Sequence, residues 1–259
     1  MSHYYEIRRN GEVRFLPAVD TPSKARKHGS ALVSVTTLLG HLPNPYINDT
    51  WKPREYVRLA RLHPELTAPE ITSLMWGLRT CPETGKQISS SDFGTAAHAR
   101  LEDHTIAWQE GGSIERNSPY DGIVAPTMRY LETEGFTPVA SERMVACNEL
   151  KTAGSIDLIA KKGGKLWLLD YKFRNCTKDE GKFYPKDCAQ LAIEAKMVMQ
   201  NDDLDYLPKC ISLCVDSTTG KVYDKTWTEA ACKQGVQRFI AARNLYYSLP
   251  ELGLVDLKC

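Results

Sequence analysis

Two aspartates and a lysine in one predicted hairpin are the residues of this chain whose types and spacing most clearly suggest chemistry. Gly163-Gly164 indicates a two-residue turn between the apolar runs 155–160 and 165–171. With that turn, Asp157 lies directly across from Asp170. Two like charges at that position destabilise a sheet, so the pair requires a compensating cation.

Lys172 lies two residues beyond Asp170 and therefore projects from the same face of the strand. Two acids that hold Mg²⁺ and a lysine that stabilises charge on phosphate meet the requirements of metal-assisted phosphodiester hydrolysis. The alternative is a surface hairpin with solvated charges. It is weakened by apolar residues on both faces, which are typical of a doubly covered strand: Ile156, Leu158, Ile159, Leu166, Trp167, Leu168 and Leu169.

A second candidate element is the segment 94–102, which reads Gly-Thr-Ala-Ala-His-Ala-Arg-Leu-Glu. We expect a helix from Phe93 to about Glu110, with Asp92 as its cap. On that helix, His98 and Glu102 lie one turn apart on the same face. Taken alone, the two residues are better explained as a solvated His–Glu pair.

The composition is that of an ordinary soluble globular protein, because 42% of the 259 residues are hydrophobic and 25% are charged. With a net charge of +1, any positive potential for nucleic acid must be local. Neither a membrane-spanning run nor the apolar segment of a signal peptide is visible, and we therefore expect a cytoplasmic protein, in a bacterial or phage-infected cell.

The predicted elements divide the chain at residue 91. Residues 1–91 are expected to form a mostly helical N-terminal subdomain and a wall of a DNA groove. Its first part, to about residue 35, is expected to be a short, polar lead-in that is β-rich or irregular. Its helices are predicted from Ser34 as cap, over about 51–62, and from Thr67 to about Arg79, with a loop over 81–91. Residues 92–259 are expected to form an α/β core. After helices over 93–110 and 123–134, its elements are strands at 138–148, 154–161 and 165–172, a helix over 187–200, a hairpin of 211–215 with 222–227, and a helix over 229–247.

At this point the chain resembles a known family, the RecB-like branch of the PD-(D/E)XK nucleases. The resemblance covers about residues 34–200 and rests on short motifs in the family's order: Gly94-Thr-Ala-Ala-His98, Ser141-Glu142, Gly154-Ser-Ile-Asp157, Asp170-Tyr-Lys172 and Gln190. Ser34-Val-Thr-Thr-Leu-Leu with Trp51 also resembles the N-terminal region of phage-type exonucleases in that group. The implied fold is a restriction-endonuclease-like αβββαβ core, whose mixed sheet is flanked by helices.

The resemblance also implies a Mg²⁺- or Mn²⁺-dependent deoxyribonuclease that processes DNA ends, with one or two ions. Carried over by position, Asp157 and Asp170 would ligate metal, together with the backbone carbonyl of Tyr171 and a ring nitrogen of His98. Lys172 would be the catalytic lysine.

Two further positions of the family motif have weaker counterparts in this chain. Glu142 lies on the first core strand, where relatives often place an acid near the site. Gln190 opens a helix that contacts the site and the DNA backbone in the family. Many relatives have a tyrosine four residues later, and here that residue is Glu194, which puts the role of this helix in doubt.

The expected partner is single- or double-stranded DNA with a free end, with a recombination or replication protein as a possible second partner. Two alternatives stay open on the same core: a structure-specific endonuclease, and an inactive DNA-binding or scaffold relative. Intact Asp157, Asp170 and Lys172 argue against the inactive relative. Candidate phosphate contacts are Lys52, Arg54, Arg58, Arg79 and the lysines of 178–186, and candidate base-stacking residues are Trp51, Tyr120, Phe183 and Tyr184.

Eight cysteines contain no CxxC pair, and they do not favour an iron–sulfur cluster. Cys81 precedes the core, as one cysteine of iron–sulfur relatives does, but the later cysteines are too dispersed to form the family's trio. Cys210 and Cys214 lie on one predicted strand, about 13 Å apart, which is too far for one compact metal centre. We expect buried structural thiols there.

Overall fold

The computed structural model describes residues 3–42, 50, 52–75, 77–115, 117–176 and 180–248. Within these ranges the strands are β1 (Tyr4–Ile7), β2 (Val13–Phe15), β3 (Leu32–Ser34), β4 (Leu78–Thr80), β5 (Gln87–Ser89), β6 (Thr137–Cys147), β7 (Thr152–Lys162), β8 (Lys165–Arg174), β9 (Lys209–Asp216) and β10 (Val222–Trp227). The helices are α1 (Pro22–His28), α2 (Val35–Leu39), α3 (Lys52–Leu62), α4 (Ala68–Met75), α5 (Ser90–Gln109), α6 (Asp121–Thr133), α7 (Pro185–Asn201) and α8 (Glu229–Ser248).

One mixed sheet organises the described part of the chain. Its spatial order is β10-β9-β8-β7-β3-β1-β2, and β6 pairs with the other edge of β7. The pairs β8–β9 and β3–β7 are parallel, and the remaining pairs of this sheet are antiparallel. The prediction of a mixed α/β fold with helices around the sheet is therefore confirmed.

The predicted hairpin and its register are confirmed. β7 and β8 turn at Gly163-Gly164, which both have positive φ, and they pair from Lys162–Lys165 back to Leu158–Leu169. The elements predicted between residue 137 and the last described helix lie within three residues of their expected bounds. Glycine tolerates positive φ without steric cost, and this explains the tight turn.

Helices cover both faces of the central strands, as the apolar pattern of β7 and β8 predicts. On one face α2, α7 and α8 pack against Ile156, Ile159 and Leu168. On the other face α5 and α6 pack against Leu158 and Leu169. Because neighbouring residues of a strand point to opposite faces, Leu168 and Leu169 belong to different cores.

Two strands, β3 and β8, pair with different parts of the edge of β7 that faces away from β6. β8 pairs with residues 158–162 on this edge, and β3 pairs with Thr152 and Ala153. Between them, within the described chain, residues 154–157 have no strand partner on that edge. Asp157 therefore lies at a split in the sheet, between the part of β7 that pairs with β3 and the part that pairs with β8. At this split, side chains can bond to backbone groups that have no strand partner.

The first third of the chain departs from the predictions. α4 ends at Met75 and not near Arg79, and the expected loop over 81–91 contains part of a short hairpin, β4–β5. α5 begins at Ser90, because Ser89 and not Asp92 is its cap: the hydroxyl of Ser89 accepts from the amide of Asp92 at 3.0 Å. The same hydroxyl donates to Asp92 Oδ2 at 2.8 Å.

β1, β2 and β3 lie in the part expected to be β-rich or irregular, and they join the same sheet as the core strands. The division of the chain at residue 91 stays a prediction. α2 begins after Ser34, whose hydroxyl accepts from the amide of Thr37 at 3.0 Å, as expected. Trp51 lies outside the described residues. None of the described helices is long and apolar enough to cross a membrane.

Candidate metal centre

Three elements bring His98, Glu142 and Asp157 together. α5 supplies the histidine, β6 the glutamate and β7 the aspartate, and one ligand atom of each lies within 4.8 Å of the others. His98 Nδ1 is 3.8 Å from Asp157 Oδ2. All three side chains are partly exposed. One imidazole nitrogen and two carboxylates form a donor set that divalent transition metals accept.

Glu142 lies opposite Asp157 on the β6 side of β7, since its neighbours Ser141 and Arg143 pair with Leu158 and Ile156. Its backbone has a φ of 47°, a left-handed conformation that is uncommon for residues other than glycine. The hydroxyl of Ser155 donates to Glu142 Oε2 at 2.7 Å. The carboxylate is therefore fixed by a neighbour on β7 and by an unusual backbone.

The backbone amide of Tyr171 donates to Asp157 Oδ2 at 2.7 Å. This bond lies one residue beyond the last paired residues of β7 and β8, at the split in the sheet. It leaves Asp157 Oδ1 to other partners and sets the orientation of the carboxylate. The prediction that Asp157 and Asp170 face each other is correct in register, but the strands separate at this pair. The predicted metal contact of the Tyr171 carbonyl stays a prediction.

Asp170, Lys172 and Gln190 form a chain of contacts beside the three residues. Lys172 Nζ donates to Asp170 Oδ1, which confirms that the two side chains share a face, and to Gln190 Oε1 at 3.4 Å. Asp170 is almost fully buried, and its second oxygen, Oδ2, has no hydrogen-bond partner among the described residues. A buried carboxylate oxygen without a partner is costly and indicates an unfilled contact.

Burial raises the pKa values of the site's carboxyl groups. For Glu142 the charge of Asp157 adds to the effect of burial, whereas for Asp157 and Asp170 the ammonium of Lys172 opposes it. Burial works to lower the pKa of Lys172, but Asp170 and Asp157 raise it above its ordinary value. Burial and Lys172 lower the pKa of His98, which favours the neutral imidazole that a metal requires.

A second ion-pair cluster anchors α5, the helix that carries His98. Asp121, at the start of α6, accepts from Arg100 Nε at 2.7 Å and from the Ser118 amide at 2.8 Å, and lies 2.9 Å from His104 Nε2. The Arg100 hydrogen bond lowers the pKa of Asp121 well below its usual range. Because Arg100 and His104 follow His98 on the same helix, this cluster holds the histidine's helix against α6.

A cavity of about 800 Å³ opens onto the site. Its lining includes His98, Glu142 and Lys172 from the site, together with Glu102 and Arg174. The sequence analysis did not single out Arg174, which pairs with Asp187 at 2.8 Å. An arginine at the last residue of a strand has no distinctive sequence signal, so its position became known only from the structure.

The candidate DNA contacts have different environments. Tyr120 is a wrong prediction, because it is 3% exposed and packs on Phe93 within the core. Tyr184 is 50% exposed, and the Arg174 guanidinium stacks on its ring at 4.6 Å. Arg58 is exposed but already paired with Glu55. Lys52, Arg54, Arg79, Lys182, Phe183 and Lys186 stay predictions as DNA contacts, and Trp51 and Lys178 lie outside the described residues.

Cys210 and Cys214 lie on β9 and are buried, as expected for structural thiols. Cys214 Sγ is 3.5 Å from Cys176 Sγ, which follows β8.

Comparisons with known proteins leave the family open. No family model matches the chain, and no curated protein matches it. Among solved structures, one from Eubacterium rectale described as a "putative exonuclease" matches at 12% identity and a TM-score of 0.41, over 78% of this chain and 76% of its own. Another, named SSO0001, matches at 14% identity and a TM-score of 0.32, over 80% and 83% of the two chains. Such TM-scores are too low to establish a shared fold.

Proposed function

We propose that this protein is a divalent-metal-dependent deoxyribonuclease. The observation that carries the proposal is the group His98, Glu142 and Asp157 with the buried Asp170–Lys172 pair beside it. Acids that can hold a cation, next to a lysine that can face a phosphate, are the combination that phosphodiester hydrolysis requires.

The residues fit a divalent cation. His98, Glu142 and Asp157 offer ligand atoms within 4.8 Å of one another, and Asp170 Oδ2 is buried without a hydrogen-bond partner among the described residues. Carboxylates suit both Mg²⁺ and Mn²⁺, whereas an imidazole suits Mn²⁺ better, since Mg²⁺ prefers oxygen. We therefore propose His98, Glu142, Asp157 and Asp170 as the residues that would hold Mg²⁺ or Mn²⁺.

When bound, the cation would supply Lewis acidity toward a phosphate oxygen and toward water. The protein's own residues would do the rest. Lys172 Nζ would offset negative charge that develops on the phosphate, because its raised pKa keeps it protonated. The Tyr171 amide would hold the Asp157 carboxylate in one orientation. Gln190 would keep Lys172 directed into the site.

The finer assignment rests on the resemblance of the motifs to the RecB-like PD-(D/E)XK nucleases. It suggests a nuclease that degrades DNA from an end, in recombination, repair or replication. The order of β6, β7, β8, α7 and β9 in this chain supports an αβββαβ core. We propose end-dependent degradation on this basis, and it is separable by experiment from the metal chemistry.

The test is cleavage of matched linear and circular DNA, single- and double-stranded, with either end labelled. We expect degradation of linear DNA with Mg²⁺ or Mn²⁺, no reaction with EDTA, and intact closed circles. Cleavage by fully metal-stripped protein would refute metal dependence. Efficient linearisation of circles by pure protein would contradict end-dependent degradation and would indicate an endonuclease that uses the same site.

A further inference from the structure

Glu194 is a buried acid next to the site that the chemistry above does not use. It lies one turn after Gln190 on α7, and it is 2% exposed. Burial, with the charges of Asp170 and Asp157, raises its pKa well above the usual range. A residue that served only to fill the core would bury apolar atoms at lower cost, because a buried carboxyl must be neutralised or paired.

The chain leaves space for this carboxyl at the split in the sheet. A Cβ added to Gly154, on the unpaired edge of β7, would lie 3.0 Å from Glu194 Oε1 and 3.5 Å from its Cγ. Since φ of Gly154 is not in the left-handed region, glycine is not required there by the backbone. Glu194 occupies the space beside this position, so a side chain at residue 154 would require the carboxyl to shift by a few tenths of an ångström.

Glu194 also lies beside the residue that contacts Lys172. It is four residues after Gln190 on α7, so the two side chains share a face of the helix, and the Gln190 amide works to lower the pKa of the Glu194 carboxyl. Gln190 Oε1 in turn accepts from Lys172 Nζ at 3.4 Å. An amide has an acceptor oxygen at one end and a donor nitrogen at the other. A carboxyl oxygen that accepts from Gln190 Nε2 therefore turns Oε1 toward the lysine. The flipped amide would place its NH₂ group against an ammonium, which donates as well.

We propose that Glu194 is a positioning residue for Lys172, acting through the amide of Gln190. The proposal rests on the proposed phosphodiester hydrolysis for its effect on rate. Its structural content, the orientation of Lys172, does not depend on that activity.

The rate test compares Glu194→Gln, Glu194→Ala and the control Met197→Ala. Met197 is also buried on α7, but its side chain is apolar and belongs to the hydrophobic core, so it cannot accept a hydrogen bond from the Gln190 amide. We expect Glu194→Ala to lower kcat about three- to tenfold with little change in KM, the range for one hydrogen bond. Glu194→Gln keeps an acceptor oxygen and should stay within about threefold of wild type. Equal losses in the glutamine and alanine variants would overturn the proposal.

The second test measures Lys172 directly, in metal-free protein. Labelling of amines with acetic anhydride, read by mass spectrometry, reports how firmly Lys172 Nζ is held. We expect Glu194→Ala to raise its labelling rate about three- to tenfold, as when one hydrogen bond is lost, and Met197→Ala to leave it unchanged. Equal labelling in both would show that Glu194 only packs. If wild type cleaves no DNA, the proposed function fails, while this test still decides the orientation of Lys172.

Gly154 provides a third, independent perturbation. Gly154→Ala should shift the Glu194 carboxyl and reproduce part of the Glu194→Ala effect on rate and labelling. In a Glu194→Ala background the same substitution should add little, because the clashing carboxyl is gone. Two positions that act through one contact are non-additive in this way. Simple additivity of the two substitutions would contradict the proposed contact.

Discussion

The carboxylate of Asp157 replaces a backbone partner for the amide of Tyr171. Asp157 Oδ2 accepts from that amide at 2.7 Å, at the residue where β7 and β8 stop pairing. A side chain thus satisfies a donor that a regular ladder would satisfy with a carbonyl. Asp157 is therefore both a proposed metal ligand, which requires its charge, and a hydrogen-bond acceptor in the sheet, which requires only its oxygen. Two substitutions can separate these functions.

Asp157→Asn should remove the charge and keep the acceptor. We expect it to abolish Mn²⁺ binding while leaving the metal-free protein at least as stable as wild type, because repulsion with Glu142 is relieved. Asp157→Ala loses the acceptor as well, and should lower the free energy of unfolding by about 1–3 kcal/mol. Calorimetric Mn²⁺ titration and urea unfolding measure both quantities. An alanine variant as stable as the asparagine variant would contradict the structural role.

Lys172→Ala and Asp170→Asn should each abolish turnover and leave a folded protein that binds DNA. From repulsion between the two acids alone, Asp170→Asn would raise stability, but the ion pair with Lys172 predicts a loss. Breaking a buried pair lowers the free energy of unfolding by about 3–5 kcal/mol. The loss in the double variant Asp170→Asn/Lys172→Ala should be smaller than the sum of the losses in the two single variants. Lys161→Ala, an exposed lysine on β7, is the control. A Lys172→Ala protein with a near-normal rate would refute the catalytic role.

His98→Ala should weaken Mn²⁺ binding about tenfold or more, because it removes a candidate ligand. Cleavage should slow, and excess Mn²⁺ should restore part of the rate. Mn²⁺ at about 100 times its Kd should stabilise wild type by about 2.7 kcal/mol, and the variant by less at the same concentration. His63→Ala, an exposed histidine beyond α3, is the control for both calorimetry and thermal unfolding. Equal Mn²⁺ affinities in wild type and His98→Ala would show that His98 is a residue of the helix surface and not a metal ligand.

Asp121→Asn should destabilise the protein at neutral pH by about 1–3 kcal/mol, since it weakens charge-assisted hydrogen bonds. The folded pKa of Asp121 is lowered, chiefly by Arg100, so its contribution is complete above its unfolded pKa of about 4. The contribution is lost as pH falls below that value. The difference in unfolding free energy between wild type and variant should therefore narrow from pH 5 toward pH 3. Asp103→Asn, an exposed acid beside the same arginine, should show no comparable difference. If the difference in unfolding free energy between wild type and Asp121→Asn does not change with pH, the charge of Asp121 does not contribute to stability in this way.

The pairing of β7 and β8 could be predicted because the residues of the turn between them fix the register of the two strands. Two adjacent glycines at 163 and 164 place Leu158 across from Leu169, and the following pair contains the two acids. The alternation of Leu168 and Leu169 between two cores follows from the same pattern. The separation of the strands at Asp157 could not be predicted, because it depends on where β3 takes over the edge of β7.

Glu142 was expected near the site from the resemblance alone, and residue patterns could not predict its position opposite Asp157. β6 and β7 are joined by Asn148-Glu149-Leu150-Lys151, a connection that does not specify one register, so its position opposite Asp157 had to be observed. The start of α5 was ambiguous for another reason. Ser89 and Asp92 are both residue types that cap helices, and in the structure the Ser89 hydroxyl accepts from the Asp92 amide and donates to the Asp92 carboxylate. Three-residue strands such as β4 and β5 carry too little alternation to be recognised.

The contact between Gly154 and Glu194 has a consequence for how such sequences can diverge. A methyl group at position 154 would lie 3.0 Å from the carboxyl at position 194, which is closer than ordinary van der Waals contact. Homologous sequences should therefore change these two positions together, with a larger residue at 154 accompanied by a shorter or displaced one at 194. The two positions are forty residues apart and on different elements, so such covariation would be a record of this packing in the sequences themselves.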